Sequence, residues 1–276
     1  MNKLNTAKRA AIISALVEGN SLRSTTRMTG ASINTVTKLL IDAGTACAKY
    51  QHETLRNLPC KRLQCDEIWS FIGMKEKNVP AERKGQRGFG DVWTWMAICA
   101  EIKIVPCWLV GARDGEHATA FIIDLANRLS NRVQLTTDGH KPYLEAVEAG
   151  FGGDIDYAML VKLYGSAAGN TAEVRYSPGE CVGCEKRTVT GSPDPAHSST
   201  SFVERQNLTM RMRMRRFARL TNGFSKKIEN HEHMIALHYM HYNFVRRHQT
   251  LRMSPAMAAG VDGHLWSLEE VVGLIE

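Results

Sequence analysis

The stretch Leu63-Gln-Cys-Asp-Glu-Ile-Trp-Ser-Phe-Ile-Gly73 puts two adjacent carboxylates inside a run otherwise fit for a protein core. Its β-branched and aromatic residues read as a strand. Burying a carboxylate there costs several kcal/mol unless it is paired or bound to a metal. Any fold this chain adopts must therefore bring a partner to Asp66. Alternation along a strand sends Glu67 to the opposite face, so the two acids are not equivalent.

The neighbouring segments define the sheet around that strand. DVWTWMAICAE (91–101) and IKIVPCWLVGA (102–112) read as two more strands, after a polar loop. HATAFIIDLANRLS (117–130) gathers Phe121, Ile122, Leu125 and Leu129 on one helical face. NRVQLTTDG (131–139) is a strand ending in a turn, KPYLEAVEAGFG a helix with Pro142 in its first turn, and DIDYAMLVKLYG (154–165) a further strand. The order β-β-β-α-β-α-β predicts an α/β fold with a mixed sheet. Residues 166–200, rich in Gly, Ser, Pro and Thr, read as an inserted loop or hairpin with strand-like pieces AEVRYS and KRTVTG. Helical character returns at 202 and runs through ENHEHMIALHYMHYNFVRRH (229–248) until Pro255; LWSLEEVVGLIE forms a last helix.

The N-terminal region is different. Residues 6–18 have Ala, Ile and Leu at helical spacing and stop at Gly19-Asn20. Ser21 caps SLRSTTRMTG, and Ser32 caps INTVTKLLIDAG after a tight Gly-Ala-Ser turn. Three short helices with that turn predict a helix-turn-helix whose third helix presents Asn34, Thr35, Thr37 and Lys38 to a major groove. The segment GNSLRSTTRMTGASINTVTKLL also resembles the helix-turn-helix of many bacterial transcription and recombination proteins.

Charge points to a polyanion. Residues 1–62 hold ten Lys and Arg against three Asp and Glu, and residues 202–252 hold eleven against three, while the rest of the chain is net acidic. Two basic flanks around an acidic centre suit DNA gripped from two sides. The seven cysteines are odd in number and scattered, mostly in apolar surroundings, which predicts buried thiols in a reducing compartment. No run approaches 18 apolar residues and the first residues lack a signal-peptide pattern, so the expectation is a cytoplasmic protein with no membrane partner, associated with the nucleoid.

Two further acids stand at chemically useful places. Asp138 lies where a strand runs out into a turn, a favoured ligand position in α/β sheets. Glu204 opens the helix SFVERQNLTMRMRMRR. Either alone has an ordinary explanation, as a turn former or a helix-dipole partner. Together with Asp66 they supply three carboxylates able to converge at one sheet edge. Hard oxygen ligands suit Mg2+ or Mn2+, and two such ions would serve an in-line displacement at phosphorus.

At these residues the chain resembles a known family. Asp66-Glu-Ile-Trp-Ser-Phe, Thr-Thr-Asp138-Gly-His-Lys-Pro-Tyr and Ser-Phe-Val-Glu204-Arg-Gln-Asn are similar to the three signature blocks of DDE transposases from bacterial insertion sequences, relatives of retroviral integrases. The stretch from Tyr242 to Gly260 resembles their C-terminal block. The resemblance implies an RNase H-like catalytic domain, metal-dependent cleavage at element ends and strand transfer into target DNA. It also implies Asp66, Asp138 and Glu204 as catalytic metal ligands, and action as a homo-oligomer on double-stranded DNA. The 66-residue separation of Asp138 and Glu204 exceeds the compact integrase spacing, and the insertion accounts for it. Two other readings are a non-catalytic DNA-binding regulator and an RNase H-like nuclease without strand transfer.

The expected organisation is a helix-turn-helix domain (1–60), a catalytic domain (61–220, insertion about 166–200) and a helical C-terminal region (221–276). Arg205, Arg211 and Arg215, with Arg213, Arg216 and Arg219, are candidates for phosphate contact. Their alternation with methionine cannot form one stripe at 100° per residue, so some must face protein. Asn207 shares the Glu204 face and is placed to orient a carboxylate. Cys181 and Cys184 form a CxxC that could hold Zn2+ with two more ligands, such as His197, or serve as loop thiols.

Overall fold

The computed structural model describes residues 4–165, 181–218 and 222–275. Three helices come first: α1 (Thr6–Val17), α2 (Leu22–Thr29) and α3 (Ile33–Thr54). They are followed by β1 (Arg62–Ile72), β2 (Gly90–Cys99), β3 (Trp108–Gly111), α4 (Gly115–Ala126), β4 (Gln134–Asp138), α5 (Pro142–Phe151), β5 (Asp156–Tyr164) and β6 (Cys181–Thr190). Four helices close the chain: α6 (Ser201–Arg213), α7 (Ile228–Met240), α8 (Pro255–Ala258) and α9 (Leu268–Gly273). Among the described residues no helix is long and apolar enough to cross a membrane.

The strands form one mixed sheet in the order β3-β2-β1-β4-β5-β6. β1, β2 and β3 pair antiparallel, β4 runs parallel to β1 and β5 parallel to β4, and β6 returns antiparallel along β5. The predicted piece KRTVTG falls in β6, whereas AEVRYS lies outside the described residues. The two faces of the sheet separate as alternation requires. Glu67 sits opposite Trp95, whose indole packs on Phe121 of α4 and Tyr143 of α5. Asp66 sits opposite Met96, whose sulfur meets the Tyr239 hydroxyl of α7 at 3.4 Å. That hydroxyl also reaches Met210 of α6 at 3.0 Å.

Several boundaries differ from the sequence expectation, each for a local reason. The third strand is only Trp108–Gly111 rather than 102–112. Pro106 cannot donate to a ladder, and the backbone of Val105 is bonded instead by the side chain of Asn243, which accepts from its N–H at 3.1 Å and donates to its carbonyl at 3.0 Å. The helix expected over 229–248 stops at Met240 and continues as a single π-turn, His241–Val245. Pro255 begins α8, capped by Ser254, rather than closing a helix.

α3 is the largest difference: it passes Gly44, the expected stop, and runs on to Thr54. Gly44 is a contact point, not a terminator. A Cβ there would lie 2.4 Å from the His233 Cβ of α7, so the missing side chain lets two backbones approach. Through this crossing, and through α1 packed on α9, the N-terminal helices share one continuous core with the sheet and the C-terminal helices.

Candidate active site

Asp66 and Asp138 meet because two strands end at different points. β4 pairs with β1 only as far as Thr137 opposite Cys65, so Asp138 emerges beside Asp66 while β1 continues against β2. Both carboxylates are then held by fixed donors. Asp66 Oδ1 accepts from the Glu67 N–H at 2.8 Å and Oδ2 from Asn207 Nδ2 at 2.8 Å. Asp138 Oδ1 accepts from the His140 N–H at 3.0 Å, which closes the turn after the strand.

Gln64 brings in the third element. Its Oε1 accepts from the N–H groups of Phe202 and Val203 at 2.8 and 3.1 Å, satisfying two of the orphan donors at the start of α6. This pins the first turn of α6, which carries Glu204, to the strand that carries Asp66. The Glu204 carboxylate accepts from Lys162 of β5 and from the Thr200 hydroxyl.

The residue that sequence reasoning underrates is Glu67. Strand alternation does send it to the other face, but its carboxylate returns to the edge of the site. One ligand oxygen each from Asp66, Glu67 and Asp138 lie within 4.8 Å of one another. The Glu67 side chain is 1% exposed; Oε2 accepts from Arg113 at 3.3 Å, and the buried Tyr143 hydroxyl also faces the carboxylate. Arg113 also lies 3.6 Å from Asp138 Oδ2 and stacks on Trp93, so it braces two of the acids. The signal is present in the sequence as a second acid in an apolar strand.

Electrostatics follow from this crowding. Burial, then the Asp138 charge, push the Asp66 carboxyl up to about 7, with the Glu204 charge acting in the same direction. Burial, then Asp138 and Asp66, push Glu67 up to about 8. Burial opposes the Lys162 charge, yet the adjoining Glu204 holds that amine above its ordinary value. A site of clustered, partly neutralised carboxylates fits a hard divalent cation, which would relieve the repulsion. Glu204 is near enough to raise Asp66, but the 4.8 Å group comprises Asp66, Glu67 and Asp138.

The other candidates fall elsewhere. On α3, Asn34 and Lys38 are exposed and Thr35 and Thr37 half-buried; Lys38 pairs with Asp42 at 2.6 Å. Arg205 and Arg215 are exposed and Arg211 half-buried. Arg213 pairs with Glu18 of the α1–α2 turn, and Arg216 donates to Ser225 at 2.9 Å, so these two face protein. Arg219 lies outside the described residues.

Cys181 and Cys184 are exposed on β6 with sulfurs 3.9 Å apart. Among the described residues no third ligand joins them, and His197 lies against Asp194. The remaining five cysteines are buried thiols, as composition predicts. Of the C-terminal histidines, His231 bonds Ser70 and Ser225, His233 packs on Gly44, and His238 is buried among aromatic rings.

A family model described as IS1 transposase matches residues 190–245, from the end of β6 through α6 and α7. No curated protein matches the chain. A solved structure of the piggyBac transposase synaptic complex with hairpin DNA aligns over 99% of this chain and 71% of that chain, at 10% identity and a TM-score of 0.43, a likeness too distant to define the fold. The matched segment contains Glu204 and the arginine run behind it, and it bears out the chain's resemblance to DDE-type transposases.

Proposed function

We propose that the protein is a DNA transposase that cleaves at insertion-sequence ends and joins them to target DNA. The observation that carries this reading is the convergence of Asp66, Glu67 and Asp138 at the sheet edge, with α6 holding Glu204 beside Asp66. The sheet order β3-β2-β1-β4-β5, with an antiparallel meander followed by two parallel strands, supports an RNase H-like catalytic unit over 61–220. The capped helices α2 and α3, joined through Gly30 in the left-handed conformation, support a helix-turn-helix within 1–60 that offers Asn34, Thr35, Thr37 and Lys38 to DNA. Residues 221–276 form the helical region that ties the two together. The proposed setting is the cytoplasm, at the nucleoid, with two or more copies assembled on two DNA ends.

In this reading Asp66 and Asp138 would hold Mg2+ or Mn2+, as two ions, with Glu67 or Glu204 completing the set. When bound, the metal supplies charge that activates the attacking oxygen and stabilises the leaving one. The chain's own groups do the rest. Asn207 and the Glu67 N–H fix the Asp66 carboxylate so that its lone pairs point one way. Arg113 restrains Asp138 and neutralises part of the acid charge. Lys162 holds Glu204 in place, and Arg205, Arg211 and Arg215 are set on or just beyond α6 to meet phosphates.

The test uses precleaved element ends, a target plasmid and Mg2+. Asp66→Asn and Asp138→Asn should abolish joined product while DNA binding, read by mobility shift, persists. A parent protein that nicks ends but never joins them would leave a nuclease; one that binds DNA without either product would leave a regulator. The position of Glu67 favours a specific variant of the scheme, in which it serves as the third ligand. Mn2+ titration followed by electron paramagnetic resonance decides it: the stronger loss of binding, in Glu67→Gln or in Glu204→Gln, identifies the ligand.

A further inference from the structure

The two basic flanks of the sequence come together in one cleft of about 720 Å3, between the α1–α2 turn and residues 213–216 and 222–227. Its walls are built. Gly19, at φ +88°, brings the turn so close that a Cβ would lie 3.0 Å from the Arg213 carbonyl oxygen, and Glu18 pairs with Arg213 across the same seam. On the opposite side Arg216 donates to Ser225, whose hydroxyl lies 2.9 Å from His231 Nδ1; His231 Nε2 in turn lies 3.2 Å from the Ser70 hydroxyl of β1. The cleft is thus anchored both to the N-terminal helices and to the strand that carries Asp66.

Its described lining is cationic, and Arg213 alone of the lining cations has a carboxylate partner. Among the described residues Arg23, Arg213, Arg215, Arg216, Lys226 and Lys227 line it, and no Asp or Glu does. Arg213 and Arg216 are engaged in the walls, but among the described residues Arg23, Arg215, Lys226 and Lys227 have no carboxylate partner. Four unpaired cations around one concavity repel each other in the absence of an anion, and the concave shape focuses their field. A phosphodiester chain supplies regularly spaced negative charge that relieves this repulsion. The cleft is too small for a whole duplex but suited to the backbone of one strand.

We propose that this cleft binds the phosphate backbone of one DNA strand, so that the N-terminal helices and the catalytic sheet grip the same strand. The proposal deepens the transposase reading and rests on it for the choice of DNA as the polyanion. The experiment measures DNA affinity by fluorescence anisotropy across a range of salt concentrations, for the parent, Lys226→Ala/Lys227→Ala with Arg215→Ala, and the control Lys77→Ala/Lys84→Ala on the loop before β2. Removing one phosphate-bound cation should lower the slope of log K against log salt by about 0.9 for duplex, or about 0.7 for single-stranded DNA. The triple variant should therefore lower its slope by about two to three, and bind at least tenfold more weakly at moderate salt, with unchanged circular dichroism and melting. An unchanged slope in the folded triple variant overturns the proposal, as does an equal decrease per residue in the control. Loss of polyglutamate binding with DNA binding intact would assign the cleft to an acidic protein instead and also overturn it. A strand-joining assay beside the salt titration keeps the two readings apart: if the parent never joins strands but the triple variant has a reduced slope, the transposase reading fails and the cleft stands. If the triple variant keeps the parent slope and still joins strands, the cleft fails and the transposase reading stands.

Discussion

Replacing Glu67 by glutamine gives the sharpest test of the acid cluster. The carboxyl is pushed from its ordinary 4.5 up to about 8, by burial first and then by Asp138 and Asp66. Its folded-state value lies above the unfolded one, so between about pH 4.5 and 8 the fold keeps a proton that the unfolded chain releases. Stability must then fall as pH rises through that window, and the loss is complete above it. At 1.36 kcal/mol per pH unit, the shift from 4.5 to about 8 makes Glu67 cost at most about 4 kcal/mol between pH 5 and pH 9. Movement of Arg113 and protonation of Asp66 will reduce that figure. Glutamine keeps the shape and cannot ionise. With chelator present, Glu67→Gln should therefore match the parent within about 1 kcal/mol at pH 5 and exceed it at pH 9. Urea unfolding at several pH values between these limits measures the difference. Asp66, itself raised to about 7, leaves the variant a residual slope.

Adding Mn2+ at pH 8 should reverse the order, because binding to the folded state stabilises in proportion to ligand affinity and the parent offers one more charged oxygen. Parallel stability–pH curves for parent and variant would refute the reasoning, since a carboxyl that ionises freely in the fold has no such linkage. So would Mn2+ stabilising both proteins equally while the chelated curves diverge, which would leave Glu67 buried but outside the metal site.

Three other outcomes are expected. Asn207→Leu removes the donor to Asp66 Oδ2 and should lower Mn2+ affinity about tenfold, as losses of outer-shell partners do, read by electron paramagnetic resonance with the fold checked by circular dichroism. Gly44→Ala forces a Cβ to 2.4 Å from His233 and should destabilise by about 1–3 kcal/mol or more in urea unfolding; a neutral result would mean α3 and α7 part easily. His238 is buried with both ring nitrogens unpartnered, and burial holds its pKa down to about 3. Because the unfolded imidazole protonates near 6.5, the parent should lose stability as pH falls from 6.5 toward 3, and His238→Leu should make that limb shallower, with His231, His241 and His248, also held low by burial, keeping the rest.

The sequence discloses those parts of the molecule that depend on local pattern. Strand periodicity and the caps at Ser21 and Ser32 read correctly, because alternation and side-chain capping act over a few residues. The order of strands and helices follows, and with it the meeting of Asp66 and Asp138. What the sequence hides depends on partners distant in the chain. Gly44 looks like a stop because glycine usually is one, and only the backbone of His233 reveals it as a contact. The break before β3 is invisible without Asn243, which takes over the bonds of Val105 from the far end of the chain. Alternation alone sets Glu67 aside, yet that rule fixes where Cβ points and not where a flexible carboxylate ends.

The arginine run is the feature that joins these results. Sequence spacing shows that its members cannot share one face, and the structure divides them. Arg213 and Arg216 are used in the walls of the cleft, which leaves Arg215 free to line it. α6 begins at Glu204's turn and ends at Arg213, so one rigid helix spans the acid site and the cleft. Nine residues separate Glu204 from Arg213, or about 14 Å at 1.5 Å per residue. A strand anchored in the cleft would have its scissile phosphate set by the length of α6 rather than by side-chain reach. Lengthening α6 by one residue would displace the cleft by about 1.5 Å and rotate it by about 100°, disrupting both walls. Under the proposed function, α6 would set the distance between the grip and the chemistry, with Glu204 at one end and the basic run at the other.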